Sequence, residues 1–384
     1  MLLVSVIVLG VLVFVHELGH FLVAKFFRVG VLEFAIGFGP KVYRRRFGET
    51  WYSIRCIPLG GYVRMVGDTP TEVLEAQRAQ PEEEGAPEPE ELDEVEKRLW
   101  GQKERWFLSQ RIFPRILIVA AGPAFNLLFA FLLATFSFYV YGLHKTVNTP
   151  VIGEVIPEYP ADKAGLRKDD TVLAVNGQHV HTWLEMAMLI ANSGGSPVTL
   201  QVQRPKEGGV PEDLTLTIEP QRDTPEMELL GGKGKKSQDF KIGIFQNTER
   251  IPATLLKATT AGASHVYFLC EVTLKSLYGM VNGIISPSHI AGPIFIFKEA
   301  AKSARSGLDR LFDFMIFLSV SLAILNLLPV PILDGGHILF FLIEAIKGRP
   351  VSIRIQEYAN QFGMLMLLLL MLFAVGNDIR KLFL

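Results

Sequence analysis

His16, Glu17 and His20 lie within the five residues HELGH, which interrupt an otherwise apolar stretch of the chain. Residues four positions apart share one face of a helix, so the two imidazoles can bind a single metal ion together. The glutamate between them can then reach a water molecule at that ion. This H-E-x-x-H pattern is typical of a zinc site at which the glutamate acts as general base in peptide hydrolysis.

Chance matches to this pattern occur in many helices, where the histidines only form hydrogen bonds. The surrounding residues, VLVFVHELGHFLVAKFF (11–27), favour the metal site because they are apolar enough to lie in a membrane. Ionisable side chains at bilayer depth are costly, and they usually mark functional sites. We therefore predict that His16 and His20 bind Zn²⁺.

A third zinc ligand is needed, because catalytic zinc usually has three protein ligands and an open position for water. Asp334 is the candidate, since it lies in the apolar segment SLAILNLLPVPILDGGHILFFLIEAI (321–346). The prolines and glycines beside it predict a break in the helix. A helix-breaking turn would explain those residues, but it would not explain a carboxylate at this depth.

Two further polar residues lie near Asp334 in the sequence. His337 is three residues beyond it and can share its helix face, so we predict a supporting or structural role for this imidazole. Asn326 is eight residues before it and offers both a donor and an acceptor. We predict that Asn326 holds the substrate backbone or a developing oxyanion.

Four stretches are long and apolar enough for transmembrane helices, which need about 20 residues each. They cover residues 1–27, 111–143, 311–346 and 358–380. The first has no basic leader and no small-residue cleavage site, so we predict that it is retained. Basic residues crowd the first connection and flank the second helix, which predicts that this connection is cytoplasmic: Lys25, Arg28, Lys41, Arg44, Arg45, Arg46, Arg55, Arg64, Arg111 and Arg115.

The overall composition fits a mixture of membrane and soluble parts. The chain has 384 residues, 49% of them apolar, and a formal net charge of -1, which argues against a nucleic acid partner. With four crossings, both termini and the long segment 144–310 lie outside the cytoplasm, which for a bacterial protein is the periplasm. The expected class is a polytopic α-helical membrane protein with a membrane-associated β-hairpin region and an inserted α+β domain, and for a bacterial protein its membrane is the inner membrane. The sequence specifies no oligomeric state.

The connections have contrasting compositions. Residues 28–68 contain β-prone runs separated by glycines, which predicts hairpins that lie against the cytoplasmic leaflet or form an ordinary surface element. Residues 69–110 are acidic and rich in proline, which predicts a partly disordered cytoplasmic insert that acts as a solvated spacer. Contact between its negative charges and the nearby arginines is the alternative. Residues 247–310 predict amphipathic helices on the periplasmic face. A fifth crossing there is less consistent with Glu271 and Lys275.

The segment 150–246 alternates short strands with glycine and proline turns and one helix, as expected of a small soluble domain. Within it, IPEYPADKAGLRKDDTVLAVNGQHVHTW (156–183) resembles the PDZ domains attached to bacterial proteases. Asp169 replaces the glycine that is usual in that family, although aspartate tolerates a left-handed turn better than most residues. Such domains bind extended peptides at a sheet edge. A steric filter without peptide affinity is the alternative.

The motifs together resemble the site-2 proteases, specifically the bacterial regulator-of-sigma-E type. They are HELGH, AAGPAFN (120–126), NLLPVPILDGG (326–336) and the intervening PDZ-like segment, so the resemblance covers nearly the whole chain. Well-known members carry two PDZ domains in tandem, whereas one is found here. The acidic insert also has no counterpart, so gating by a paired filter is not carried over.

The resemblance implies an intramembrane zinc protease whose substrates are transmembrane proteins or signal peptides, such as anti-sigma factors or leftover signal peptides. It assigns the following roles: zinc ligands His16, His20 and Asp334, general base Glu17, and substrate-binding Asn326. It also implies that Gly37 and Gly39 of GFGP belong to a membrane-associated β-loop that holds the substrate as an added strand.

Two other functional classes are alternatives to this interpretation. A non-catalytic membrane scaffold would use its PDZ domain to recruit envelope proteins and would hold structural zinc. It predicts four fixed protein ligands and no need for Glu17. A metal transporter is disfavoured because metal-binding groups do not recur along the spans.

Overall fold

The computed structural model describes residues 2–73, 93–206, 209–222 and 240–383. Their contacts divide the chain into two compact units. The first contains Met1–Ala134, Gly262–Thr273 and Ser288–Leu384, and the second contains Thr135–Ala261 and Leu274–Pro287.

The elements of the described residues are numbered here in chain order. The helices are α1 (Leu2–Phe26), α2 (Glu94–Trp100), α3 (Ile112–Tyr141), α4 (Pro160–Lys163), α5 (Trp183–Ala191), α6 (Leu255–Val281), α7 (Pro293–Ser306), α8 (Leu308–Asn326), α9 (Asp334–Lys347) and α10 (Ile353–Phe383). The strands are β1 (Val31–Phe47), β2 (Thr50–Met65), β3 (Leu143–Thr146), β4 (Ile152–Val155), β5 (Thr171–Val175), β6 (Gln178–His179), β7 (Val198–Arg204), β8 (Glu212–Ile218), β9 (Gln221–Arg222), β10 (Phe240–Lys241), β11 (Ile244–Gln246) and β12 (Thr248–Ile251).

Three helices of the described chain are long and apolar enough to cross a membrane: α1, α3 and α10. The predicted span 311–346 is instead divided, because α8 ends at Asn326 and α9 begins at Asp334. The sequence had predicted this break from its prolines and glycines. The first turns of α8 also carry charges, so only its later part is apolar.

Small residues bring α1 and α3 close together. A Cβ added to Gly19 of α1 would lie 2.4 Å from the carbonyl oxygen of Ala121 in α3. In a membrane, helices associate through such close packing, because the hydrophobic effect that holds helices together in soluble proteins does not act between them. Elsewhere α1 packs against α8 through buried Val8, Leu12 and Met315. These contacts hold the HELGH segment between neighbouring helices.

Strands β1 and β2 form a bent antiparallel hairpin, in the segment where hairpins were predicted. Residues 33–36 pair both with residues 61–64 and with residues 51–54, because each strand bends. The bends contain Gly37 and Gly60, at φ +90° and +126°. These left-handed values favour glycine.

The turn of the hairpin is tied to the end of α1. Glu49 accepts two hydrogen bonds of 2.8 Å from Arg105 and one from Lys25. Burial raises the pKa of Glu49, but these hydrogen bonds outweigh it and leave the pKa below its ordinary value. The turn is therefore held by a charged network.

Residues 93–110 are packed into the fold, which differs from the solvated spacer predicted for 69–110. Leu99 and Trp106 are buried beside Leu32 and Val66, because apolar side chains recur within this charged segment. Asp93 caps α2 and forms an ion pair with Arg46, the kind of contact considered as the alternative to a spacer. Residues 74–92 of the predicted insert lie outside the described residues.

The second unit contains a four-stranded antiparallel sheet in the order β6-β5-β7-β8. Its core includes Ile152, Val172, Met186 and Leu200, all buried. Strands β3 and β12 pair with each other before and after the predicted domain 150–246. The strand-containing region of the second unit therefore extends beyond both ends of the predicted domain. The segment 247–310, for which helices were predicted, begins with the strand β12 and continues with α6 and α7.

Turns of the second unit have the backbone conformations that the sequence predicts. Asn176 and Gly177 have φ of +50° and +80°, as in the Asn-Gly turns that join two strands. Asp169 has φ +69°, the left-handed conformation expected at this position. The next residue, Asp170, is fully buried and accepts two hydrogen bonds of 2.8 Å from Arg204.

Candidate metal centre

His16 and His20 of α1 meet Asp334, the first residue of α9. The Nε2 atoms of the two imidazoles are 3.2 Å apart. Oδ2 of Asp334 lies 3.1 Å from Nε2 of His16 and 3.6 Å from Nε2 of His20. The structure thus brings together three residues that the sequence predicted as ligands, although Asp334 lies more than three hundred positions after the two histidines.

These three groups fit a zinc ion. Ligands at 2.0–2.1 Å in a tetrahedral site are separated by about 3.3 Å, which is close to the distances within the cluster. Oδ2 of Asp334 is buried and accepts no well-oriented hydrogen bond within the described residues, although both Nε2 atoms face it. Two imidazole nitrogens and a carboxylate oxygen are also common zinc ligands.

Helix α3 supports the two imidazoles through residues four positions apart. Nδ1 of His20 lies 2.8 Å from the carbonyl oxygen of Ile118, and Nδ1 of His16 lies 3.2 Å from the side-chain amide of Asn126. Gly122 is between them in the sequence, and a Cβ there would lie 2.3 Å from Nε2 of His20. These residues form one stripe along the helix.

Sequence reasoning did not assign roles to this stripe. Two of its members belong to AAGPAFN (120–126), which was used only as a family motif. The signal was the glycine and the asparagine four positions apart in an apolar helix, the same spacing as the two histidines. Glycine permits close helix contact, and a buried asparagine needs a polar partner.

The loop 327–333 and the start of α9 hold Asp334 in place. A Cβ on Gly335 would lie 2.2 Å from the carbonyl oxygen of Leu328, and one on Gly336 would lie 2.4 Å from that of Val330. Both positions therefore require glycine. Ile332 has φ +81°, which is unusual for a β-branched residue. The tight turn gives a physical reason for the LDGG sequence.

Glu17 is half-buried in α1 and lies against the hairpin. A Cβ on Gly61 of β2 would be 2.9 Å from Cγ of Glu17 and 2.8 Å from the carbonyl oxygen of Ala35. The hairpin backbone thus approaches the glutamate that follows His16. The sequence did not predict this contact, because nothing in the local pattern pairs residue 17 with residue 61.

Of the other predicted site residues, Asn326 lies at the cluster, whereas the close contacts seen for His337, Gly37 and Gly39 are with other residues. The amide of Asn326 is 3.3 Å from Nε2 of His16. The ring of His337 packs edge-on against Phe340. Gly37 and Gly39 lie in the bends of β1, where added Cβ atoms would first meet Ile57 and Cys56 of β2.

The sequence of the chain matches peptidase family M50 over residues 4–370. The chain belongs to this family. A zinc metalloprotease RasP of Geobacillus kaustophilus is 34% identical and aligns over 99% of this chain and 97% of its own. The regulator of sigma-W protease RasP of Bacillus subtilis is 30% identical over 99% and 98%. A putative zinc metalloprotease of Rhizobium meliloti is 34% identical over 98% and 95%.

Membership of the M50 family makes the chain a metalloprotease, as the H-E-x-x-H pattern predicted. It also confirms the resemblance to site-2 proteases. The apolar helices are those of a membrane protein.

Proposed function

We propose that this M50 protease holds Zn²⁺ through His16, His20 and Asp334 and hydrolyses peptide bonds within or near transmembrane segments. The observation that carries the proposal is the convergence of the three side chains at distances that suit zinc. The cluster lies on a helix that is long and apolar enough to span the bilayer. Its chemistry is therefore expected at membrane depth.

Glu17 and Asn326 have distinct proposed roles in the reaction. A bound zinc ion supplies Lewis acidity, which makes water an effective nucleophile near neutral pH. Glu17 takes the proton of that water as general base and later delivers it to the leaving amine. Asn326, beside Nε2 of His16, donates from its amide to the substrate carbonyl, where negative charge develops.

The substrate must present an extended backbone, because a helix hides its carbonyl groups in hydrogen bonds between residues i and i+4. We propose that β1 and β2 hold it as an added strand, with Gly37 and Gly39 shaping the bend. The support is the contact of Gly61 with Glu17, which puts hairpin backbone next to the proposed base. Residues that weaken a helix should favour cleavage of the target.

Substrates of the proposed class are membrane proteins such as anti-sigma factors, together with leftover signal peptides. The name of the Bacillus subtilis relative, a regulator of sigma-W protease, supports this choice. We place the chain in a bacterial inner membrane, with residues 150–246 in the periplasm as a PDZ-like module. The sheet, the helix α5 and the Asn-Gly turn support the PDZ-like assignment.

The deciding substitution is Glu17→Gln in purified, zinc-loaded protein. We expect cleavage of a model transmembrane substrate to fall by about 10²- to 10⁴-fold, because the amide cannot take a proton. Zinc content measured by mass spectrometry should not change. The matched control is Glu154→Gln, an exposed glutamate of β4, which should leave the rate unaltered.

Cleavage that persists in the Glu17→Gln protein would refute the proposed mechanism. Zinc that cannot be removed by a chelator, together with no cleavage by the parent protein, would instead favour the structural zinc of a scaffold.

A further inference from the structure

The Nδ1 atoms of His16 and His20 have different kinds of hydrogen-bond partners. This difference affects whether the Nε2 atom of each imidazole can bind zinc. A neutral imidazole carries one proton, on either Nδ1 or Nε2. Only the nitrogen without a proton can bind a metal ion. The group that faces Nδ1 therefore decides whether Nε2 is available.

His20 has a partner that allows one tautomer only. Its Nδ1 lies 2.8 Å from the main-chain oxygen of Ile118, and a carbonyl oxygen can only accept a hydrogen bond. Nδ1 must therefore carry the proton. Nε2 is left with its lone pair facing Asp334. The backbone of α3 thus prepares this ligand.

His16 has a partner that allows either tautomer. Its Nδ1 lies 3.2 Å from the side-chain amide of Asn126, which offers a donor on one side and an acceptor on the other. With Nδ2 facing Nδ1, the proton must be on Nε2, which could not then bind zinc. That orientation also leaves Oδ1 of Asn126 buried without a hydrogen-bond partner in the described part of the chain.

We propose that Asn126 is a positioning residue that turns Oδ1 toward His16 and accepts the proton of Nδ1, which frees Nε2 to bind zinc. The two ends of an amide are nearly the same size, so both orientations fit the space. When the side-chain amide of Asn126 turns, its amino group, instead of its oxygen, is left without a partner among the described residues. The need for a free Nε2 therefore decides the orientation.

The surroundings hold Asn126 in position for this task. Its exposed fraction is 1%, so water does not compete for its amide. The hydroxyl of Ser319, also buried, donates a hydrogen bond of 2.8 Å to the main-chain oxygen of Asn126. Helix α8 thereby fixes the backbone of α3 at this residue. The side-chain amide of Asn126 is then available to form a hydrogen bond with the imidazole of His16.

The inference rests on the proposed zinc site, and its test measures zinc affinity. The parent for the test is the full chain with Glu17→Gln, which removes turnover. Asn126→Leu keeps the size of the side chain but has no acceptor. We expect its zinc affinity, measured by competition with a chromogenic chelator, to fall by about 10- to 100-fold.

Asn126→Asp is the rescue variant, because a carboxylate accepts from Nδ1 at either oxygen. We expect its affinity to stay within about threefold of the parent, as carboxylate–histidine–zinc arrangements are common. Thr135→Val is the matched control, since it replaces another polar side chain on α3, whose buried hydroxyl has no hydrogen-bond partner among the residues that the structure describes. Its zinc affinity should equal that of the parent.

The melting temperature of the metal-free proteins separates loss of a ligand partner from loss of fold. The inference would be overturned if Asn126→Leu melted like the parent and bound zinc as tightly as the parent does. It would also be overturned if the Leu and Asp variants lost zinc affinity equally. If the Leu variant does not fold, Asn126→Ala is compared with Asn126→Asp by the same criteria. A parent that binds no zinc would refute the proposed function itself.

Discussion

Gly122 of α3 is the residue at which the smallest change has the largest expected effect on the metal site. A Cβ there would overlap Nε2 of His20 at 2.3 Å and Cε1 of His16 at 2.8 Å. Both imidazoles would have to move, and Nε2 of His20 is a proposed ligand. Helices α1 and α3 cannot separate easily, because Gly19 contacts Ala121 one residue earlier.

Gly122→Ala should therefore abolish tight zinc binding without unfolding the protein. Alanine favours helix more than glycine does, by about 1 kcal/mol, so α3 itself should not weaken. Chelator competition measures the zinc affinity, and circular dichroism measures the helix content. We expect a loss of affinity of at least about 100-fold, the upper end of effects around a metal site.

Gly10→Ala in α1 is the control for that substitution, because a Cβ there would meet no atom within 4 Å. It should leave zinc affinity unchanged. Normal zinc binding by Gly122→Ala would mean that the imidazoles can shift without losing the ion.

At the scale of elements, one buried ion pair joins the helix that supports the histidines to the helix that carries Asp334. Arg115 of α3 forms hydrogen bonds of 3.1 Å and 2.5 Å to the carboxylate of Glu344 in α9. Its exposed fraction is 5%, and its guanidinium lies over the ring of Phe341. The pair sets the position of α9 relative to α3.

Glu344→Gln should destabilise the protein strongly, because it leaves Arg115 buried without an opposite charge. Breaking a buried pair costs about 3–5 kcal/mol, and partial exposure of Glu344 favours the lower end of that range. Denaturation in mixed detergent micelles measures the change. Zinc affinity should fall as well, since Asp334 lies at the start of the same helix.

The double substitution Arg115→Met and Glu344→Leu is the companion variant. Replacing both partners by apolar side chains removes the unpaired charge, so most of the lost stability should return. A double variant as unstable as Glu344→Gln would show that packing, rather than charge, is responsible.

At the scale of the whole molecule, the proposed ligands and their supporting residues all belong to the first unit. The second unit begins and ends its sheet-rich part with the paired strands β3 and β12. Because Thr146 pairs with Thr248, the chain between them leaves and returns at neighbouring positions. The part of the second unit between these residues can therefore be removed.

Replacing residues 147–247 by a short Gly-Ser linker should leave zinc affinity unchanged. If the removed part restricts access to the site, transmembrane substrates with long outer segments should be cleaved faster than by the intact chain. Parallel assays with long and short substrates measure this. A variant that loses zinc would contradict the assignment of the site to the first unit alone.

The sequence by itself indicated much of the proposed chemistry. Two histidines at a spacing of four and a carboxylate beside two glycines are unusual in apolar segments, so local composition pointed to His16, His20 and Asp334. It also predicted the break before α9, because the closely spaced Pro329 and Pro331 disrupt the hydrogen bonds of a helix. The prediction was incomplete where packing overrode composition, as in residues 93–110.

Tertiary structure alone decided which groups surround those residues. The contacts of Gly122 and Asn126 with the imidazoles, and of Gly61 with Glu17, depend on how helices and strands are placed side by side. Hydrophobic periodicity indicates which face of a helix is apolar, but it does not specify the neighbour. Metal ligands are recognised by their residue types, whereas the groups that orient them are ordinary residues made specific by position.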